Sequence, residues 1–197
     1  MVIEEIQPDR LPEYARISIA FEVRCILQVE SLESGWGKGS GGLVLNEVPL
    51  SKPYLKDYDS YDEDGPLTWS KDFDLTNWGF LLATEDGQPV GGAAIAYATP
   101  GVYMLERRQD LAVLWDIRVH PDFRGRGIGQ ALFYRSVAWA RQRGCKLLKI
   151  ETQNVNVPAS RFYAAQGCEL GAIHRFAYTG HPQVGDEVML LWYLHLD

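Results

Sequence analysis

The periodicity of the chain from Trp78 onward constrains its fold most strongly. Two apolar runs separated by an Asp86-Gly87 turn predict a β-hairpin over Trp78–Ala98. Beyond the hairpin, segments with the two-residue period of a strand alternate with segments that have the spacing of one helix face. The predicted order is a strand at Leu111–Val119, a helix at Gly127–Arg143, a strand at Lys146–Thr152, a helix with Pro158 in its first turn and Gly167 past its end, and strands near Gly171–Tyr178 and Glu187–Leu196. This order predicts an α/β fold with a mixed sheet.

The N-terminal third carries weaker signals. Phe21–Glu30 alternates and is rich in branched residues, which favours either a first strand or the end of a helix. Glu33–Gly42 has five glycines in ten residues and predicts a flexible loop. At 197 residues the chain can bury a sizeable core but is short for two ordinary domains, so we expect a single domain over residues 1–197.

The charge distribution is uneven. Eight basic residues and one acid lie between Arg118 and Lys149, a net charge of +7 in a chain whose total is -7, so the remainder carries -14. The sequence pI of 5.1 argues against nucleic acid as a partner, and the basic segment fits a small polyanion. Five acids and two tyrosines lie within Asp57–Gly65, which is either a solvated surface loop or a binding site for a cation.

Several classes of site are disfavoured. Cys25, Cys145 and Cys168 lack the spacing of a disulfide framework or a zinc site, so we expect buried free thiols. The four histidines show no metal-ligand spacing, and no metal is predicted. No apolar run is long enough to span a bilayer, and the first ten residues lack a signal-peptide pattern, so we expect a cytoplasmic protein without a membrane partner.

A glycine-rich turn joins the predicted strand at Leu111–Val119 to the predicted helix after it. Gly125, Gly127 and Gly129 remove side chains that would block an approach to the helix N-terminus, where unpaired N–H groups bind phosphate oxygens. The spacing matches neither the P-loop nor the dinucleotide-binding fingerprint. The turn alone is therefore a weak signal.

Two motifs in order give the turn a specific meaning. Arg124-x-x-Gly127-x-Gly129 resembles the pyrophosphate loop of the GNAT superfamily of N-acetyltransferases, which use acetyl-coenzyme A (acetyl-CoA). The second motif of that family is matched after the next strand by Asn156, Ala159, Phe162-Tyr163 and Gly167. The resemblance covers roughly Trp78–Leu194. Cys168 stands where the family usually has an aromatic residue, a departure that concerns packing.

The resemblance implies a GNAT fold, in which a mixed, mostly antiparallel sheet with splayed central strands is flanked by helices. It implies that acetyl-CoA is the co-substrate and that the pantetheine arm pairs with the splayed strand at Ile117 and Val119. It further implies that Tyr163 protonates the departing thiolate. The implied cofactor-binding residues are Ile117, Val119, Arg124, Gly125, Arg126, Gly127, Gly129, Gln130 and Asn156.

The attacking amine must lose a proton, and Asp116 is the first candidate for the base. Burying a carboxylate in the middle of an apolar strand costs stability. Asp116 is therefore expected either to act as this base or to be stabilised by hydrogen bonds from neighbouring groups. Glu151 and Glu106 are the alternatives.

Short pieces further resemble the streptothricin acetyltransferases. They are "FEV" at Phe21, "PYLKDYD" at Pro53, "ETQNVN" at Glu151 and "WYL" at Trp192. The resemblance implies a small cationic amine as acceptor, with the β-lysine amine of streptothricin, and hence antibiotic resistance, as one candidate. A general amine or polyamine acetyltransferase and a non-catalytic acetyl-CoA-binding module are the alternatives. A homodimer stays open.

Overall fold

The structure, a computed structural model, describes residues 1–32, 42–61 and 65–196. Its strands are β1 (Val2–Ile6), β2 (Phe21–Leu32), β3 (Gly42–Lys56), β4 (Gly79–Glu85), β5 (Gln88–Tyr97), β6 (Leu111–Val119), β7 (Leu147–Gln153), β8 (Glu169–His174) and β9 (Met189–His195). Its α-helices are α1 (Leu11–Tyr14), α2 (Trp69–Asp72), α3 (Ile128–Gln142) and α4 (Val157–Ala165). Within these ranges no helix is both long and apolar enough to cross a membrane.

The strands form two sheets. A seven-stranded sheet has the order β1-β4-β5-β6-β7-β9-β8, and β2 and β3 form a separate two-stranded sheet. The pairs β1–β4, β4–β5, β5–β6 and β8–β9 are antiparallel, whereas β6 and β7 are parallel. The predicted α/β fold with a mixed, mostly antiparallel sheet is confirmed.

The chain divides into two compact units made of non-contiguous segments. The first unit contains Met1–Phe21, Lys56–Ile150 and Leu194–Asp197, and the second contains Glu22–Leu55 and Glu151–Tyr193. Whether the two units behave as the single domain expected for residues 1–197 stays a prediction.

In the first unit, two adjacent glycines let β5 pack closely on both faces. A Cβ at Gly91 would come within 3.0 Å of side-chain atoms of α3, and a Cβ at Gly92 would collide with the ring of Tyr14 in α1. Because successive strand residues face opposite sides, α3 covers one face of β5 and α1 the other.

An aromatic layer fills the α1 side of this unit. Its neighbouring ring centroids lie 5.2–6.3 Å apart, a spacing at which each pair adds about 0.5–1.5 kcal/mol beyond its burial. Phe73 and Trp115 are only partly buried, unlike the other members. The aromatic layer consists of Tyr14, Trp69, Phe73, Trp78, Phe80 and Trp115.

Of the two alternatives for Phe21–Glu30, the strand is confirmed, since this segment is part of β2. The structure corrects other sequence predictions, because the strand predicted over Gly171–Tyr178 begins earlier and ends at His174. The elements β1, α1, β3 and α2 were not predicted. Residues 33–41 of the predicted glycine-rich loop lie outside the described residues, and Gly42 begins β3.

The three cysteines are free. Cys145 and Cys168 are buried as predicted, whereas Cys25 is only partly buried. Burial raises the pKa of Cys168 to about 11. A thiol with a raised pKa is a poor nucleophile at neutral pH, which fits a packing role.

Candidate active site

Strand β6 becomes irregular halfway along its length. Leu114 and Asp116 pair with consecutive residues of β5, so Trp115 is an extra residue, a β-bulge. The parallel ladder with β7 covers the first four residues of β6 and ends at Leu114, although β6 continues to Val119. Among the described residues, the part of β6 after Leu114 therefore pairs with a strand on one side only. Its other edge can bind an extended chain as an added strand.

The bulge also brings two consecutive side chains to one face of β6. The ring of Trp115 packs against Phe73 and Trp78, and the carboxylate of Asp116 accepts a hydrogen bond from the hydroxyl of Tyr14. In a regular strand these two side chains would point to opposite faces. Trp115 and Asp116 thus both face the aromatic layer, at the point where β6 stops pairing with β7.

The turn after β6 presents backbone groups at the start of α3. Gly125 and Gly127 have φ of +77° and +81°, a region where other residues are strained, and a Cβ at either position would meet no atom within 4 Å. The first hydrogen bond of the helix runs from the Ala131 N–H to Gly127 O at 3.0 Å. The amides of Ile128 and Gly129 therefore have no intrahelical acceptor, the arrangement that binds phosphate oxygens.

The two arginines of this turn are held differently. The Arg124 guanidinium donates to the carbonyls of Val119 at 3.0 Å and Ala20 at 2.8 Å, and burial lowers its pKa. Arg126 lies over the ring of Phe123 and 3.6 Å from Glu85, with 56% of its side chain exposed. Arg126 is thus an exposed cation at the turn, and Arg124 fastens the turn to the N-terminal segment.

Tyr14, Asp59, Asp116 and Arg118 form a polar cluster. The Arg118 side chain is 1% exposed and forms ion pairs with Asp116 at 2.7 Å and with Asp59 at 2.6 Å. It also donates to Ile17 O at 3.1 Å. Burial raises the pKa of Asp59 although Arg118 opposes this, and the pKa of Tyr14 is raised by its burial and by Asp116. The polar cluster ties three separate segments of the first unit together.

The acidic segment has internal roles in its described part. Asp57 caps the short 3₁₀ helix Tyr58–Ser60, since its side chain accepts from Asp59 N at 3.1 Å. The ammonium of Lys56 lies 4.9 Å and 5.2 Å from the ring centroids of Tyr58 and Tyr61. The tyrosines predicted to hold a substrate cation therefore contact a lysine of the chain itself. The remaining acids of the segment, Asp62, Glu63 and Asp64, lie outside the described residues.

The second unit carries the predicted residues of α4. The Asn156 side-chain oxygen caps this helix by accepting from Ala159 N at 3.1 Å. Its amide nitrogen donates to no acceptor in the described part of the chain, so it can serve a ligand. Tyr163, two turns along the helix, is 4% exposed and packs edge-on against Phe162. Asn156 therefore caps the helix that contains Tyr163.

The junction between β7 and α4 is fixed by a residue that the motifs did not reveal. Asn154 exchanges two hydrogen bonds with Leu27 of β2, at 2.9 and 3.0 Å, and two with Val188, at 2.8 and 2.9 Å. Its amide side chain acts as a second peptide group between the two segments. An asparagine that directly follows an apolar strand was the only local signal for this role.

The two alternative carboxylates have different surroundings. Glu151 Oε1 accepts from the hydroxyl of Tyr178 at 2.5 Å and from the amide of Gln153 at 3.3 Å, and burial together with this carboxylate raises the pKa of Tyr178. Glu106 forms an ion pair at 2.7 Å with Lys149, whose side chain is 6% exposed. Glu106 therefore compensates a buried cation, and two neutral groups, a hydroxyl and an amide, donate to Glu151 Oε1.

Comparison with known proteins gives this geometry a family. The model of the acetyltransferase (GNAT) family matches residues 45–168. The chain is 30% identical over 186 residues to streptothricin acetyltransferase of Escherichia coli, a match that covers 94% of this chain and 91% of that protein.

Two solved structures share the fold. One is nourseothricin acetyltransferase, with a TM-score of 0.74 and 23% identity over 100% of this chain and 98% of that one. The other, from Bacillus anthracis, was solved in complex with acetyl-coenzyme A and has a TM-score of 0.71 and 24% identity over 98% of both chains. The predicted fold and the predicted co-substrate are thereby confirmed. With its bulged and splayed strand β6, its glycine turn at the start of α3 and these matches, the chain belongs to the GNAT family of acetyl-CoA-dependent N-acetyltransferases.

Proposed function

We propose that the chain acetylates a primary amine of a small cationic molecule, with the β-lysine amine of streptothricin as the first candidate. The observation that carries this proposal is the extent of the similarity to the E. coli streptothricin acetyltransferase, which reaches 94% of the chain. The family model covers only residues 45–168, so the similarity includes segments outside it. Because one fold hosts many acceptors, segments outside the shared motifs are where acceptor choice is expressed.

Acetyl-CoA supplies the acetyl group as a thioester. Its pyrophosphate fits the turn Arg124–Gln130, because the amides at the N-terminus of α3 and the exposed guanidinium of Arg126 can bind its negative charge. Its pantetheine arm fits the one-sided segment of β6, with the backbone of Ile117 and Val119 as partners. That Asn156 also binds the cofactor stays a prediction from the family motif.

The reaction forms a bond between the amine nitrogen and the acetyl carbon and breaks the bond between that carbon and sulfur. An alkyl ammonium has a pKa of about 10, so at neutral pH a base must remove a proton before the attack. Tyr163 gives its hydroxyl proton to the departing thiolate. The nitrogen loses two protons in all, one before the attack and one as the amide forms. One of them is released to solvent, and the other returns to Tyr163 through solvent and replaces the proton given to sulfur.

The carboxylates that could take this proton are not equivalent. Asp116, the first candidate from the sequence, accepts hydrogen bonds on both oxygens from buried Arg118, and a proton there would weaken the pairing of that cation. Glu151 Oε1 accepts from the hydroxyl of Tyr178 and from the amide of Gln153. Because a proton on Asp116 would weaken its ion pair with Arg118, we propose Glu151 as the proton acceptor and keep Asp116 as the competing assignment.

A thiol-release assay over a panel of amines tests the proposal. The panel contains streptothricin, spermidine, a peptide with a free N-terminal alanine, and buffer alone. We expect the highest kcat/KM with streptothricin. A higher kcat/KM with spermidine would favour the polyamine alternative, and acetyl-CoA binding without turnover of any amine would favour the non-catalytic module.

The proposed location and assembly are also open to test. Acetyl-CoA is present in the cytoplasm, where we place the reaction. Sedimentation of the purified protein will show whether it forms the homodimer that the sequence left open.

A further inference from the structure

The aromatic layer of the first unit has an accessible edge. Most of its rings are buried, but Phe73 and Trp115 are only partly buried, as is Met104, which packs against the same cluster. All three residues belong to the first unit. Single exposed apolar side chains are common on folded proteins, so position and geometry decide whether this edge is a binding site.

Trp115 lies at the end of the strand segment proposed to bind the cofactor. It is the extra residue of the β-bulge in β6, and a bulge next to an active site re-aims a side chain. The part of β6 that pairs on one side only begins directly after it. An arm that starts at the turn after β6 and pairs with Val119 and Ile117 extends back along the strand, so its thioester end reaches the level of Trp115.

The two accessible rings form an aromatic corner. The ring planes of Phe73 and Trp115 meet at 72°, with their centroids 5.2 Å apart. Trp78, which is 6% exposed, contacts both rings, at 5.8 Å from Phe73 and 5.3 Å from Trp115. Ring faces carry negative potential, and proteins bind ammonium groups between rings that meet at steep angles, with tryptophan giving the strongest contact.

The rings of the aromatic corner differ from those of the acidic segment. Lys56 lies over Tyr58 and Tyr61, whereas in the part of the chain that the structure describes no cation lies over Phe73 or Trp115. The ring faces of the aromatic corner are therefore not used by a cation of the described residues, and an external cation can bind there.

Carboxylates flank the aromatic corner in the sequence. Asp72 and Asp74, both exposed, stand directly before and after Phe73, and with Lys71 the stretch from 69 to 78 has two acids and one base, a net charge of -1. Hydrogen bonds from the hydroxyl and the N–H of Thr76 lower the pKa of Asp74, so this carboxylate is ionised at neutral pH. Fixed negative charge beside the rings favours a cation over an anion.

We propose that Phe73 and Trp115 form a subsite for an ammonium group of the acceptor, held over the ring of Trp115 beside the thioester. The proposal rests on the proposed function, in which the acceptor is a small cation. In a molecule with several amines, one ammonium stays at the ring while another amine loses its proton and attacks. The subsite selects a charged acceptor over a neutral one of the same shape, a property that the cofactor motifs do not supply.

Two probes of the same shape separate charge from fit. Choline carries a quaternary ammonium that cannot be acetylated at nitrogen, and in neohexyl alcohol a carbon atom replaces this charged nitrogen. The binding of each probe is measured by NMR titration of its methyl signal, with the protein saturated with CoA, which has no acetyl group to transfer. We expect choline to bind about three- to thirtyfold tighter than the neutral alcohol, the range of a cation–π contact.

Variants of Trp115 test whether the ring causes this preference. Trp115→Leu should bring the ratio of the two affinities close to one, and Trp115→Phe, which keeps a weaker ring, should give an intermediate ratio. A loss of folding would weaken both probes alike, so the ratio reports the ring and not stability. Tyr134→Leu in α3 is the control and should leave the ratio unchanged. Tyr134 is 55% exposed and meets Phe133 at 65°, but Phe133 is fully buried, so that pair has one accessible ring and no corner.

Three outcomes would overturn the proposal. They are a wild type that binds choline no better than the neutral alcohol or not at all, a wild-type ratio in Trp115→Leu, and a ratio that Tyr134→Leu lowers as much as Trp115→Leu does. With an amine that the protein acetylates, choline should raise KM for the amine and leave kcat unchanged, and inhibition of any other kind would also overturn it.

The titrations need no acetylated amine, so they are independent of the amine panel. If the ratio behaves as expected and no amine is acetylated, the proposed function fails and the cation subsite stands. If streptothricin is acetylated and the two probes bind equally, the subsite fails and the proposed function stands.

Discussion

The turn Arg124–Gln130 and the polar cluster of Tyr14, Asp59, Asp116 and Arg118 are neighbours on β6 but are built in different ways. The turn is a local structure, since its glycines and the first turn of α3 lie within seven consecutive residues. The polar cluster joins side chains that are up to 104 positions apart along the chain, a buried cation with two carboxylates and a tyrosine. Disrupting the turn should therefore damage ligand binding, whereas disrupting the cluster should first damage stability.

The largest effect is expected in the turn. Gly127→Glu places a side chain at φ +81° and a negative charge among the amides that face the pyrophosphate, and it should weaken acetyl-CoA binding at least ~100-fold. Gly101→Glu is the control, because Gly101 also has a positive φ, +90°, and a Cβ there would be equally unobstructed. Calorimetry that finds both variants equally weak, or neither, would contradict the assignment of the turn.

The next effect concerns α4, whose motif is as local as the turn. Tyr163→Phe should lower kcat by about 100-fold, the usual scale of general-acid catalysis, and leave acetyl-CoA affinity nearly unchanged. Tyr134→Phe in α3, where the ring is 55% exposed, should leave both unchanged. A loss of only a few-fold in Tyr163→Phe, measured by thiol release, would assign Tyr163 to packing.

Two carboxamide variants separate the proton acceptor from the polar cluster. Glu151→Gln should lower kcat about 10- to 100-fold and remove the acid limb of the pH–rate profile, with little change in stability. Asp116→Asn leaves Arg118 with one carboxylate, so it should lower the melting temperature and keep that limb. The opposite distribution between the two variants would restore Asp116 as the base.

Arg118→Lys tests the polar cluster as a structural unit. The ammonium keeps the charge but loses the fork that contacts both carboxylates, so urea unfolding should report a loss of about 2 kcal/mol. Arg108→Lys is the control, since Arg108 forms a similar pair with Asp110 but is 39% exposed, and should cost at most ~1 kcal/mol. Equal losses of unfolding free energy in the two variants would mean that burial does not strengthen the ion pairs of Arg118.

The smallest effect is expected in the acidic segment. Exchanging Asp62, Glu63 and Asp64 for their amides removes three charges, which should raise KM for a polycationic amine about two- to fivefold and weaken its dependence on salt. KM for acetyl-CoA should stay the same. If steady-state kinetics find amine KM and its salt dependence unchanged, the segment does not attract the acceptor.

Local signals predicted the second half of the fold well. The strand expected over Leu111–Val119 has those bounds in the structure, and the helix expected over Gly127–Arg143 begins and ends one residue inside them. In both cases the apolar period lies within the element itself, and Gly127 and Gly144 mark the ends of the helix. Strand β3 was missed because Pro49 and Pro53 interrupt its pattern, and prolines are compatible with a strand only at edges.

The candidate site was predictable only where it is local. The motifs gave the turn, Asn156 and Tyr163, but the partner of Asp59 lies 59 positions away and that of Tyr14 lies 102 away. The sequence around Lys56 equally could not indicate that Tyr58 and Tyr61 contact this lysine. Such contacts can be identified only from the tertiary fold, because the spacing of two residues along the chain does not show whether their side chains meet.

Mass spectrometry of streptothricin after incubation with the protein and acetyl-CoA tests the central claim most directly. The account predicts that wild type adds a single acetyl group to the β-lysine moiety and that Tyr163→Phe, which still binds acetyl-CoA, adds it about 100-fold more slowly. Unmodified streptothricin in the presence of a wild-type protein that binds acetyl-CoA and acetylates another amine of the panel would contradict it.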